Sequence, residues 1–308
     1  MSIPPLKIGT RGSPLALAQT HETRARLAAA HGVAPEHFRI VVIRTGGDLI
    51  QDRALSEAGG KGLFTRELDL ALIAGKIDFA VHSSKDLPTE LPEQIDIAGY
   101  LPREDARDAF IGRGGARLGE LPEGAVIGTA SLRRAAQVKR LRTDLNTVLL
   151  RGNVETRLAK VESGAVDGTL LALAGLRRLG FAARATEILP LDAFLPAAGQ
   201  GAIGIACRAA DSATRAALAS ILDAATFAAL AAERAFLKAL DGSCRTPIAG
   251  LAVVEGDALN FRGEALQADG SRTFAAGGEG RVADAASIGA SAAREILRLL
   301  PGGVASLS

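Results

Sequence analysis

Short apolar runs alternate with stretches of helical period through the first half of the chain, a pattern that predicts an α/β fold with a largely parallel sheet. Residues 6–10 read as a strand. Ser13 and Pro14 then supply an N-cap and a proline for the first helical position of a helix running to about Ala30. Residues 39–44 read as the next strand. Phe64, Leu68 and Leu72 lie at helical spacing, and Gly75 closes that helix. Residues 76–81 read as a strand that leads into His82-Ser83-Ser84-Lys85-Asp86-Leu87-Pro88.

The same pieces recur further on. Ile8-Gly9-Thr10 returns as Ile127-Gly128-Thr129, and Val42-Ile43-Arg44-Thr45-Gly46 is echoed by Leu149-Leu150-Arg151-Gly152-Asn153. Gly75-Lys76-Ile77-Asp78 is echoed by Gly164-Ala165-Val166-Asp167, each joining a helix to a strand. The recurrence predicts two similar α/β domains around a cleft, with ligands at the carboxyl ends of the strands.

The last third differs. Residues 224–240 read as a helix, and residues 248–254, 258–266 and 272–275 as strands joined by turns at Glu255-Gly256-Asp257 and Ala268-Asp269-Gly270. Ala285, Ile288, Ala292, Ile296 and Leu299 mark a closing amphipathic helix. This predicts a small α+β domain with a three-stranded antiparallel sheet.

Composition narrows the class. The 308 residues carry 36 Lys+Arg against 34 Asp+Glu, a net charge of +2, which excludes a globally basic nucleic-acid binder but not a local basic site. With 4% aromatics, the chain is poor in base-stacking platforms. Two distant cysteines, Cys207 and Cys244, exclude a disulfide framework and the usual zinc spacings, and the four histidines form no metal set. No apolar run reaches the roughly eighteen residues of a membrane span. Residues 1–7 lack the charged-then-apolar run of a secretory signal, so the expected compartment is the cytoplasm.

Two expected helix N-termini carry basic residues: Arg11 and Ser13 at one, Ser131, Arg133 and Arg134 at the other. Unpaired backbone N–H groups and the positive end of the helix dipole suit anions there, and arginine adds two-point recognition of carboxylates. Arg133, Arg151 and Arg157 fall at separate element ends, as for a small polyanion in a cleft, whereas Lys139, Arg140 and Arg142 read as solvated surface. Gly59-Gly60-Lys61-Gly62 departs from the phosphate-loop pattern, since Gly62 stands where Ser or Thr is required. Lys85 and Asp86 at a strand's carboxyl end can do acid–base chemistry or steady a developing cation, though a surface ion pair fits as well. Gly242-Ser243-Cys244-Arg245 puts a thiol beside a positive charge, which favours thiolate and covalent attachment. Cys207 sits in an apolar run and reads as an inert buried residue.

Seven of these runs together resemble the porphobilinogen deaminase (hydroxymethylbilane synthase) family: residues 8–19 (IGTRGSPLALAQ), 59–64 (GGKGLF), 82–88 (HSSKDLP), 128–134 (GTASLRR), 151–157 (RGNVETR), 195–202 (LPAAGQGA) and 242–247 (GSCRTP). Ser84, the doubled Gly46-Gly47 and Ser243 are ordinary variation within that pattern.

The resemblance implies a transferase that joins four porphobilinogen molecules head to tail into hydroxymethylbilane, releasing four ammonia, in haem biosynthesis. It implies one covalent dipyrromethane cofactor per chain, on Cys244 through a thioether. Each pyrrole carries an acetate and a propionate, and residues matching Arg11, Ser13, Lys85, Ser131, Arg133, Arg134, Arg151, Arg157 and Arg178 would bind these carboxylates. Asp86 would be the catalytic group, stabilising positive charge on ring nitrogens as ammonia leaves an electron-poor azafulvene and the next pyrrole attacks. Lys61 and Phe64 would sit in a loop over the cleft.

The implied fold has two periplasmic-binding-protein-like domains and a third bearing the cofactor. Residues 1–101 with 202–219 would form domain 1, 102–201 domain 2 and 220–308 domain 3. The implied state is a monomer with no metal, nucleic acid or membrane partner. Two alternatives compete: a non-catalytic small-anion-binding protein of the two-domain solute-binding type, and a nucleic-acid binder using the basic region 133–160, which lacks a recognition motif.

Overall fold

Ile8, fully buried, and its neighbours open the first sheet as β1 (Lys7–Thr10) in the computed structural model, which describes residues 3–46, 65–241, 246–300 and 302–307. Ser13 then caps α1 (Pro14–His31), its hydroxyl accepting from the Ala16 N–H at 3.3 Å, with Pro14 in the position where a missing N–H costs nothing. β2 (Arg39–Val42), α2 (Arg66–Ile73), β3 (Phe79–Ser83) and β4 (Ile95–Tyr100) follow. β3 starts later than expected. Lys76 and Asp78 are spent on the turn, their N–H groups bonding the Ala71 and Lys7 carbonyls, each at 2.9 Å.

A second run repeats this order: β5 (Asp108–Gly112), β6 (Val126–Gly128), α3 (Leu132–Leu141), β7 (Asn146–Val148), α4 (Val154–Glu162), β8 (Gly168–Ala172), α5 (Leu173–Arg178) and β9 (Glu187–Ile188). The chain returns through β10 (Ile203–Arg208) and α6 (Ser212–Leu218), then makes α7 (Ala224–Ala239), β11 (Ile248–Glu255), β12 (Ala258–Leu266), β13 (Thr273–Arg281) and α8 (Ala285–Leu299). β13 runs six residues beyond the expected end at 275. Its glycine-rich continuation, Gly277-Gly278-Glu279-Gly280, has low strand propensity and is held by its pairing with β12.

The two five-stranded sheets have the same topology, β2-β1-β3-β10-β4 and β7-β6-β8-β5-β9. In each, the fourth strand (β10 or β5) lies antiparallel to its neighbour, the others before it being parallel. The echoed tetrapeptides do the same work in both. Gly75 and Gly164 take left-handed φ values of 67° and 76° after their helices. Asp78 accepts from the Lys7 N–H at 2.7 Å, and Asp167 from the Val126 N–H at 2.9 Å, so each ties a turn to the start of the adjacent strand.

The described residues fall into two compact units. One takes 202–227 with the described residues up to Glu104; the other takes 105–201 with those from Ala228 onward. In the first, one face of the sheet packs Ile8, Phe79, Val81 and Ile203 with Leu27 of α1, and the other packs Ala80 and Ala206 with Leu68 and Leu72 of α2. Cys207 on β10 is buried in this core, and burial pushes its thiol pKa up. In the second, Phe110, Ile127, Val138 and Leu170 form one core face, while Ile111, Leu158 and Leu171 form the other. The three-stranded sheet belongs to the same unit: Leu195 packs with Ala249 and Leu251 of β11, and Arg140 on α3 pairs with Glu264 on β12 at 3.0 Å. α7 and α8 meet closely, Gly289 standing where a Cβ would lie 2.0 Å from the Ala232 carbonyl oxygen. Among the described residues no single helix is long and apolar enough to cross a membrane.

Candidate active site

Parallel pairing of β1 with β3 sets Gly9 beside Ala80, so the chain segments leaving both strands emerge side by side at the carboxyl edge of the first sheet. Arg11 leaves β1, and Ser13 caps α1 two residues later. From β3 the chain enters a 3-10 turn, Ser84–Asp86, closed by the Leu87 N–H on the Ser84 carbonyl at 3.1 Å and anchored by the Ser84 N–H on the Ala202 carbonyl at 3.0 Å. This puts Asp86 against Arg11, with 3.9 Å between Nη1 and Oδ2. The two side chains are 20% and 36% exposed, so the pair is open to solvent and to a ligand.

Arg11, Ser13, Gln19, Thr65, His82, Ser83 and Asp86 are among the residues that line one concavity. Ser83 donates its hydroxyl to the buried Gln19 side-chain Oε1 at 3.0 Å. Lys85 is exposed on the same turn, and its side chain is outside the lining. The concavity therefore joins a cationic donor, a helix N-terminus and a carboxylate on rigid element ends. That set can bind an acid group and a cationic or N–H centre together.

The second sheet repeats the placement. Ser131 caps α3 beyond β6, its hydroxyl accepting from the Arg134 N–H at 3.4 Å. Arg133 and Arg134 are buried, and one fully buried carboxylate joins them: Asp108 at the start of β5, 2.8 Å from Arg133 Nη2 and 2.6 Å from Arg134 Nη2. Burial alone would push the Asp108 carboxyl up, but the two guanidinium groups outweigh it and hold the carboxyl well below the usual range. Arg133 also donates to Gln137 Oε1 and the Leu195 carbonyl, both at 2.8 Å, while its Nε has no partner. Gln200 donates to Asp108 at 3.0 Å. Two cations against one anion leave this buried cluster net positive.

Arg151 lies beyond β7 and is partly exposed. Arg157, in the first turns of α4, donates to the Gly152 carbonyl at 3.0 Å. Arg178 ends α5 and donates to the Gly201 carbonyl at 3.2 Å. Lys61, Phe64 and Cys244 lie outside the described residues.

The expectation of solvated surface for Lys139, Arg140 and Arg142 is corrected by the structure. Arg142 donates to the Leu118, Gly119 and Leu121 carbonyls and pairs with Asp144 at 2.6 Å, so it closes the loop that precedes β6. Arg140 ties α3 to Glu264 and to the Ala193 carbonyl, and Lys139 donates to the Leu145 carbonyl. Sequence reading missed Asp108, 25 residues before Arg133, and gave no role to Gln200, which lies 67 residues after it within the LPAAGQGA run. Among the described residues, no cluster of His, Cys, Asp or Glu is placed to hold a metal ion.

Residues 6–216 match the family described as porphobilinogen deaminase, dipyromethane cofactor binding domain, and residues 227–298 match porphobilinogen deaminase, C-terminal domain. Relatives named porphobilinogen deaminase, from Nitrobacter hamburgensis and Nitrobacter winogradskyi, are each 58% identical over 94% of this chain and 92% of theirs. Among solved structures, the VFT2 domain of BvgS from Bordetella pertussis aligns over 71% of this chain and 86% of its own, with TM-score 0.41 and 14% identity. A periplasmic binding protein of Salmonella typhimurium with high arginine specificity aligns over 70% and 91%, with TM-score 0.40 and 11% identity.

Proposed function

The chain belongs to the porphobilinogen deaminase family, transferases of tetrapyrrole biosynthesis that carry a dipyrromethane cofactor, and on that premise we propose how its residues divide the reaction. The enzyme joins porphobilinogen units head to tail and releases ammonia at each addition; a non-catalytic solute-binding role is not favoured. Asp86 is the proposed catalytic residue. The observation that carries this is the placement of its carboxylate: at a strand's carboxyl end, inside a concavity, beside a cation 3.9 Å away.

In each addition the carbon–nitrogen bond to the departing ammonia breaks, and a carbon–carbon bond to the neighbouring pyrrole forms. The attacking ring carbon of that pyrrole then loses its proton. Positive charge develops on ring nitrogen as the ammonia leaves, and a fixed carboxylate facing that nitrogen lowers its energy. The same carboxylate accepts the ring N–H and can carry the released proton. Arg11 lies 3.9 Å from Asp86, an open ion pair beyond the reach of a normal hydrogen bond.

The residues present fit the cofactor and substrate acid groups. The net-positive cluster at the N-terminus of α3 keeps a buried Arg133 Nε with no partner in the protein. Arg11, Ser13, Lys85, Ser131, Arg133, Arg134, Arg151, Arg157 and Arg178 would hold these carboxylates. When bound, the cofactor supplies the pyrrole end from which the product chain grows. Its proposed anchor is Cys244, a reading supported by the GSCRTP run. Lys61 and Phe64 are proposed to cover the site. We also propose a cytoplasmic monomer that uses neither nucleic acid nor membrane.

Intact mass of the purified protein tests the anchor. An increment of two linked pyrroles, absent from Cys244→Ser, is the expected result; an active protein of unmodified mass contradicts it.

A further inference from the structure

Five buried polar side-chain atoms among the described residues have no hydrogen-bond partner, and two of them, His82 Nε2 and Ser84 Oγ, lie within four residues of Asp86. His82 is 6% exposed, yet it is part of the concavity's lining together with Arg11 and Asp86. Its backbone is fixed in mid-sheet, paired with Gly204 of β10. Other histidines in partly buried settings are satisfied: His31 Nε2 lies 2.8 Å from the Ala217 carbonyl, and His37 Nε2 2.9 Å from the Ile3 carbonyl. An imidazole nitrogen buried without a partner costs stability, and a phenyl ring would fill the same space without that cost.

Resting on the reading of Asp86 above, we propose that His82 is a substrate-binding residue of this site, an uncharged imidazole whose N–H is reserved for a carboxylate of the pyrrole substrate held at Arg11. Three complementary groups then face one ligand. Arg11 supplies charge to the acid side chain, His82 supplies a directed neutral donor to it, and Asp86 accepts from the ring nitrogen. Burial and the nearby Arg11 charge both work against an imidazolium here, bringing the His82 pKa down to about 4. The ring is therefore neutral at working pH and keeps one N–H to give. A cation in its place would pair with Asp86 and compete with the developing charge that Asp86 serves.

The test compares His82→Phe, His82→Leu, His82→Gln and Asp86→Asn in the holoenzyme, with intact mass confirming the cofactor in each. The expected result for the apolar variants is a thermal midpoint raised by about 2 °C or more, with kcat/KM for porphobilinogen lowered at least about tenfold. His82→Gln, which keeps an N–H donor and does not titrate, returns kcat/KM to within about threefold of the parent. Parental kcat/KM in His82→Phe or His82→Leu overturns the proposal, and so does failure of His82→Gln to recover what the apolar variants lose. Should Asp86→Asn itself turn over normally, the reading of the whole site fails; an inactive Asp86→Asn beside a fully active His82→Phe confines the failure to His82.

Discussion

The Asp108 carboxylate binds Arg134 twice through one oxygen, at 2.6 Å to Nη2 and 3.1 Å to Nε, and its other oxygen takes Arg133 at 2.8 Å. A single buried anion thus orients two adjacent guanidinium groups at the N-terminus of α3. It leaves that end of the helix with one positive charge in excess, the condition an acidic ligand needs.

Asp108→Asn should strand two buried cations. Breaking a buried ion pair by removing one partner costs about 3–5 kcal/mol, because the remaining charge is uncompensated. Chemical denaturation of the variant is expected to show a loss in that range, and a loss below about 1 kcal/mol would contradict the assignment. The depressed Asp108 carboxyl adds a pH signature. Its stabilisation is present above the ordinary carboxylate pKa and is lost as pH falls toward the lower folded value, so acid sensitivity should diminish in the variant.

His82 and Asp69 oppose each other in mildly acidic solution. His82, brought down from 6.5 to about 4, makes stability fall as pH drops from 6.5 to 4. Burial pushes Asp69 up from 3.8 to about 6, which makes stability fall as pH rises from 3.8 to 6. The two effects have opposite sign over nearly the same window and offset each other. Denaturation between pH 4 and 6.5 should therefore separate the single variants: His82→Gln loses stability with rising pH, and Asp69→Asn gains it. Identical slopes in both variants and the parent would refute these pKa assignments.

Gly289→Ala probes the contact between α7 and α8. A Cβ there would lie 2.0 Å from the Ala232 carbonyl oxygen, a backbone atom that cannot rotate away. Overpacking of this kind costs about 1–3 kcal/mol, and the thermal midpoint should fall accordingly. An unchanged midpoint would show that the two helices do not meet this closely.

Much of this was legible in the sequence because the signals were local. Ser13-Pro14, Gly75-Lys76-Ile77-Asp78 and its echo at Gly164-Ala165-Val166-Asp167 each specify a cap or turn within a few residues, and the repeat announced the shared sheet topology. Arg11, Ser13 and Asp86 could be placed together because β1 and β3 both end at motif residues. The partners of Arg133 and Arg134 could not be read: Asp108 and Gln200 arrive from distant segments by tertiary packing. Arg140 and Arg142 looked solvated for the same reason, since their acceptors on Ala193 and Leu121 are carbonyls that any sequence possesses. The long third strand of the small sheet was hidden by its glycines, whose intrinsic preference is overridden by pairing with β12.

Replacing Asp86 by asparagine tests the central claim most directly. The amide keeps the size and one acceptor but removes the charge and the basicity, so Arg11 and the fold around it should persist. Turnover of porphobilinogen by Asp86→Asn, measured on protein whose intact mass shows the cofactor in place, should fall by at least about 100-fold. Turnover within about threefold of the parent would contradict the account.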